Sequence, residues 1–135
     1  MKKIKRRKRH IVTELLGNIL TVVVHAANLH DTMQGGKVFQ KASSEYRAFW
    51  VFARTRAIGK IFEKAVKSLG LKIEISERIN HKFEMLPKRW RVERTFLWLN
   101  NYRRLSKDCE ITTTSEASYV EISSIALLLR RLFKA

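Results

Sequence analysis

Acidic residues are scarce in this sequence: 12 Asp and Glu stand against 28 Lys and Arg in 135 residues, a formal net charge of +16. Cysteine is nearly absent. Cys109 alone excludes an internal disulfide, and a lone thiol fits a reducing cytoplasm as the expected location. The four histidines, His10, His25, His30 and His81, show no metal-ligand spacing, so the sequence alone predicts no structural zinc. Gly35-Gly36 and Gly59 form no phosphate-cradling loop. Long apolar runs are missing as well. The longest, residues 19–24, already contains Thr21 and falls far short of the roughly 18 residues a membrane span needs. Glu14, Gly17 and Asn18 break up the apolar stretch that follows the basic start, which argues against a signal peptide. No membrane association and no small-molecule substrate are expected.

What is present is a 45% hydrophobic, 30% charged chain of a length that fits one folded domain, residues 1–135. A compact domain so cationic repels itself unless a polyanion neutralises it. Nucleic acid is the default partner, because neutralising phosphates releases condensed counterions. An anionic membrane surface is the alternative.

Residues 1–9 are almost all basic and read either as a solvated tail or as a phosphate-binding arm. Two strands follow over 10–16 and 19–26, turning at Gly17-Asn18; the second, rich in β-branched residues, suits a strand covered on both faces. Asp31 reads as the cap of a helix over roughly 32–47 that Gly35-Gly36 weakens. Residues 46–53 and 71–76 read as strands and 58–69 as an amphipathic helix stopped by Gly70. Pro87 suits the first position of a helix over 88–105. Ser118 and Glu121, spaced as a capping box, predict a final helix over 116–135, with Ile122, Ile125, Ala126, Leu129, Leu132 and Phe133 on one side. The order is that of an α/β protein with at least one hairpin and some parallel pairing.

The segment with most chemical potential is 86–110. Glu93 lies there among Arg89, Arg91 and Arg94. Spacing leaves two readings open: a surface glutamate paired with its neighbours, or a metal-binding carboxylate in a phosphate-binding groove.

The stretch RWRVERTFLWLNNYRRLSKDCE closely resembles the C-terminal signature of DDE-type insertion-sequence transposases of the four/five superfamily. RRKRHIVTELLGNILTVVVHAANLHD resembles that family's basic strand pair and Ala-Asn-x-x-Asp turn, so the likeness covers nearly the whole chain. The resemblance implies a ribonuclease H-like mixed sheet flanked by helices. It also implies three acids holding Mg²⁺ or Mn²⁺ for phosphodiester cleavage and strand transfer on double-stranded DNA. On the match Glu93 is the third acid. Arg6, Arg7, Lys8, Arg9, Arg89, Arg91, Arg94, Tyr102, Arg103 and Lys107 would bind DNA ends or orient the helix. The family's first Asp would lie on a strand ahead of this basic segment, and Arg54 stands where the second is expected. Asp31 is either a turn or cap residue or a substitute metal ligand. The resemblance therefore implies a truncated catalytic domain lacking its first catalytic strand. Such a chain is expected to be inactive alone and to associate with itself or with an intact transposase.

Overall fold

A computed structural model describes residues 7–46, 51–53, 64, 67–68, 70, 73–75, 87–107 and 109–134. Strands β1 (Arg7–Thr13) and β2 (Ile19–Ala26) form an antiparallel hairpin in which Lys8 faces His25, His10 faces Val23 and Ile11 faces Val22. The turn closes through Gly17 N–H to the Glu14 carbonyl and Glu14 N–H to the Asn18 carbonyl, both 3.0 Å. Gly17 takes φ +87°, where a side chain is strained, and a Cβ there would stand 2.9 Å from Thr95 Oγ1. The first strand starts earlier than the apolar pattern predicts. Arg7, Lys8 and Arg9, read as part of a basic arm, are paired strand residues, while Leu15 and Leu16 lie exposed in the turn. The inter-strand ladder extends the strand wherever a partner exists, whatever the charge of the side chains.

Because strand side chains alternate, Arg7, Arg9, Ile11, Val22 and Val24 share one face of the hairpin. Lys8, His10, Val12, Thr21, Val23 and His25 share the other. Helix α1 (Asp31–Glu45) packs against both strands. It buries Gln34, Val38, Phe39 and Ala42, and that packing offsets the roughly 1 kcal/mol each that Gly35 and Gly36 cost a helix. His30, not Asp31, is the N-cap residue; Asp31 opens the first turn. Strands β3 (Val51–Ala53) and β4 (Ile73–Ile75) pair in parallel. Of the helix read over 58–69, Lys64, Lys67 and Ser68 are helical and Gly70 follows at φ +68°; the remainder lies outside the described residues.

The segment read as one helix over 88–105 is two: α2 (Pro87–Asn100) and α3 (Arg103–Ser106). Tyr102, extended at φ −86° and ψ 117°, breaks it. The break lets Leu99, Tyr102 and Leu105 all reach one cluster with Val22 and Val120, bordered by Ile11, Ile19, Val24, Phe96, Ala117 and Tyr119.

The last helix, α4 (Thr113–Leu132), begins before the expected Ser118-Glu121 box. Thr112 Oγ1 caps it, accepting from Ser115 N–H at 3.1 Å, and Ser118 Oγ instead lies 3.1 Å from the Thr114 carbonyl. Glu116, Val120, Ser123 and Ser124 are buried, while Ile122, Ile125, Leu129, Leu132 and Phe133 are exposed, Phe133 at 84%. The apolar stripe along one side of the helix therefore points outward among the described residues. Glu116 sets the rotation, as shown below, and the small serines let the helix approach β2 closely.

This orientation has a direct test. Val120→Ala should cost about 1–3 kcal/mol and Leu99→Ala about 2–5 kcal/mol in urea unfolding. Ile122→Ser and Leu129→Ser should stay within about 0.5 kcal/mol, as surface changes do. The opposite ranking along α4 would mean that the helix buries its other side.

Candidate functional site

Three clusters gather the side chains singled out by sequence. The first anchors the hairpin turn on α2. The Thr95 hydroxyl, buried, donates to the Gly17 carbonyl at 2.7 Å, and Arg94 Nη2 donates to the Leu16 carbonyl at 3.0 Å. The Arg94 guanidinium lies 4.7 Å from the Trp98 ring centroid and that of Arg131 lies 4.2 Å from it, while Arg131 also bonds Asn18. Trp98 is thus clasped between two cations at the turn. Helical spacing sets Glu93, half-buried, on the side of α2 shared with exposed Leu97 and Asn100, away from Thr95. Arg91 is half-buried, and the Arg89 side chain lies outside the described residues.

The second cluster is an Arg–Glu–Arg group. Glu116 is 2% exposed. It pairs with Arg7 Nη1 at 3.1 Å and with Arg9 Nε. The spare donors go to backbone: Arg7 Nη2 to the Ile111 carbonyl at 2.8 Å, Arg9 Nη1 to the Leu105 carbonyl at 2.9 Å. Sequence reasoning missed Glu116 as the partner of the basic strand. No local signal ties residues more than a hundred positions apart, though a lone acid at the start of a helix was available as a hint.

The third lies on the opposite face of the hairpin. Lys8 Nζ donates to Asp31 Oδ1 at 2.7 Å. That hydrogen bond, with the charge of Lys8 and the nearby imidazoles, holds the Asp31 carboxyl below its ordinary pKa. His10 and buried His25 face each other with Nε2 atoms 2.7 Å apart. Burial, then the neighbouring His25, keeps the His10 imidazole below its ordinary pKa, with Asp31 partly opposing. Asp31 and Glu93 lie in helices on opposite sides of the hairpin sheet, so the structure does not bring them together.

Of the other residues expected to meet DNA, Arg103 and Lys107 are exposed on and just after α3. Tyr102 is half-buried against the core; its hydroxyl has no hydrogen-bond partner among the described residues, and Arg130 lies 5.9 Å over its ring. Arg6 and Arg54 lie outside the described residues.

Comparison with known proteins gives the family. The transposase DDE domain model matches residues 1–129, so the chain belongs to that family. No curated protein and no solved structure matches it. The membership supports a role in DNA transposition, with DNA as partner, and the family typically uses divalent metal ions. Among the described residues, however, no group of three carboxylate, imidazole or thiol ligands includes Glu93; the one group found is His10, His25 and Asp31. The described residues therefore do not present the all-oxygen donor set that a hard ion such as Mg²⁺ requires, and no reaction step is assigned through it. No helix among the described residues is long and apolar enough to cross a membrane.

The buried ion group carries a prediction. Glu116→Ala leaves two largely buried guanidinium groups without a countercharge and should destabilise the fold by about 3–5 kcal/mol in urea unfolding. Glu116→Gln, which keeps an acceptor, should cost less. A loss under about 1 kcal/mol for the alanine variant would show that the group does not tie β1 to α4.

Proposed function

We propose that this chain acts in DNA transposition as a duplex-binding DDE transposase domain of the insertion-sequence four/five type, built on a ribonuclease H-like sheet. Within it, Glu93 is the one family acid supplied by the matched helix, and the chain by itself binds element-end DNA without cutting it. The observation that carries the reading is the family match over residues 1–129 of a chain with net charge +16. Two further observations favour binding over cleavage. On the family resemblance Arg54 stands where the second acid is expected, and the described residues bring no ligand trio around Glu93. Mg²⁺ or Mn²⁺ is the ion the family chemistry would take.

The cations divide by environment. Arg7, Arg9 and Arg94 hold the fold together through Glu116 and the Leu16 carbonyl. Arg103 and Lys107, exposed, are the residues we assign to phosphate.

The test is duplex binding across a salt series, with nicking measured in parallel. With four or more phosphates neutralised, affinity should fall about 100-fold between 50 and 200 mM salt. Arg103→Ala with Lys107→Ala should flatten that slope by roughly two while leaving the unfolding midpoint in place. No nicking should appear with Mg²⁺ or Mn²⁺. Salt-independent binding would remove the DNA reading, and metal-dependent nicking lost in Glu93→Gln would make the chain an active nuclease instead.

A further inference from the structure

We propose that His10, His25 and Asp31 form a binding site for a single divalent transition-metal ion of the Zn²⁺ class, separate from any ion held through Glu93. The candidate ligand atoms of these residues all lie within 4.8 Å of one another. The hairpin register makes the pair: His25 faces Lys8, which places His10 diagonally next to it on the same face. Asp31, in the first turn of α1, comes onto that face where the helix packs on the hairpin.

The tautomers can be read from the hydrogen bonds. His25 Nδ1 lies 2.8 Å from the Ala26 carbonyl, which can only accept, so Nδ1 carries the proton. The Nε2 of a neutral His25 is then a bare lone pair. It is aimed at His10 Nε2, which supplies the proton of their 2.7 Å contact. A ring nitrogen proton given to a backbone carbonyl, with the other nitrogen left bare, is the outer-shell arrangement found for metal-binding histidines. For His10 to bind through Nε2, its ring proton shifts to Nδ1, and the imidazole stays neutral.

The distances require small movements. Ligands about 2.0–2.1 Å from a tetrahedral ion are roughly 3.4 Å apart, so the two imidazole nitrogens, 2.7 Å apart, must open by about 0.7 Å. The carboxylate must close in by up to about 1.4 Å, from within 4.8 Å. Asp31 can do so, because its side chain is 62% exposed and, among the described residues, is held by Lys8 alone. Two nitrogens and one carboxylate, with a fourth position toward solvent, suit Zn²⁺, Co²⁺ or Ni²⁺ far better than the all-oxygen preference of Mg²⁺. Two features oppose the ion: the Lys8 ammonium, 2.7 Å from Asp31 Oδ1, and the positive end of α1. Affinity is therefore expected to be reduced by these charges and to rise when Lys8 is neutralised.

This inference does not rest on the DNA reading, since a chain that fails to bind duplex can still bind the ion. The experiment is titration of the full chain with Zn²⁺ by calorimetry, and with Co²⁺ by visible absorption. We expect one equivalent to bind, with a rise in Tm on adding Zn²⁺. Asp31→Asn and His10→Gln should each weaken binding at least about tenfold, by analogy with the losses seen on altering ligand surroundings. Lys8→Gln should tighten it, and Glu93→Gln and Cys109→Ser should leave it unchanged. His25 is buried and its loss can disturb the fold, so exposed Asp31 is the deciding position. Absence of stoichiometric binding would overturn the site. So would binding undiminished in both Asp31→Asn and His10→Gln, or binding lost in Glu93→Gln.

Discussion

The described structure turns on one buried carboxylate. Glu116 is enclosed with two arginines of β1, and each guanidinium also donates to a backbone carbonyl, Arg7 to Ile111 and Arg9 to Leu105. An ion group of this kind adds little net stability over an apolar equivalent, because desolvation consumes most of the Coulomb gain. Its consequence here is orientation. Glu116 can meet Arg7 and Arg9 only if α4 presents residues 116, 120, 123 and 124 to the hairpin, and an apolar stripe on the helix is turned away as a result. A purely hydrophobic docking would have favoured the other side of the same helix.

The same constraint divides the basic run into two populations. Strand alternation sends Arg7 and Arg9 toward Glu116, and sends Lys8 with His10 toward Asp31. Among the described residues of that run, Arg7 and Arg9 thus become structural on one face and Lys8 joins a polar cluster on the other. Helix α2 divides similarly. In the stretch after Glu93, Arg94, Thr95 and Trp98 grip the Gly17 turn and Leu99 fills the core, so this part of the helix locks it to the hairpin.

Several of these features were legible in the sequence. Residues 19–26, with their β-branched run, fixed a strand covered on both sides, and Gly17 marked the turn because only glycine takes its φ without strain. Pro87 marked the start of α2. What could not be read was long-range. The rotation of α4 depends on a partner more than a hundred residues away, and Ser118-Glu121 imitated a cap that Thr112 supplies. The break at Tyr102 follows from a cluster that takes in residues on both sides of it. The histidine pair was hidden for a different reason. Positions 10 and 25 have no suggestive spacing along the chain, yet once the hairpin register is known they are diagonal neighbours. Register, not linear spacing, was the missing signal.

Donor chemistry then separates two questions that the family name tends to merge. Glu93 is a carboxylate on a helix flanked by Arg91 and Arg94, a setting that answers to phosphate and to hard ions only if further carboxylates arrive. His10, His25 and Asp31 are an imidazole-rich set on the far side of the hairpin sheet, already oriented by the Ala26 carbonyl. An ion that prefers oxygen ligands gains little at the second place, and one that prefers imidazole gains little at the first. The sheet keeps the two donor sets apart, so occupancy of one cannot complete the coordination of the other. A role for Asp31 beside Glu93 in one metal site would require it to leave both Lys8 and the face of the hairpin on which α1 is packed.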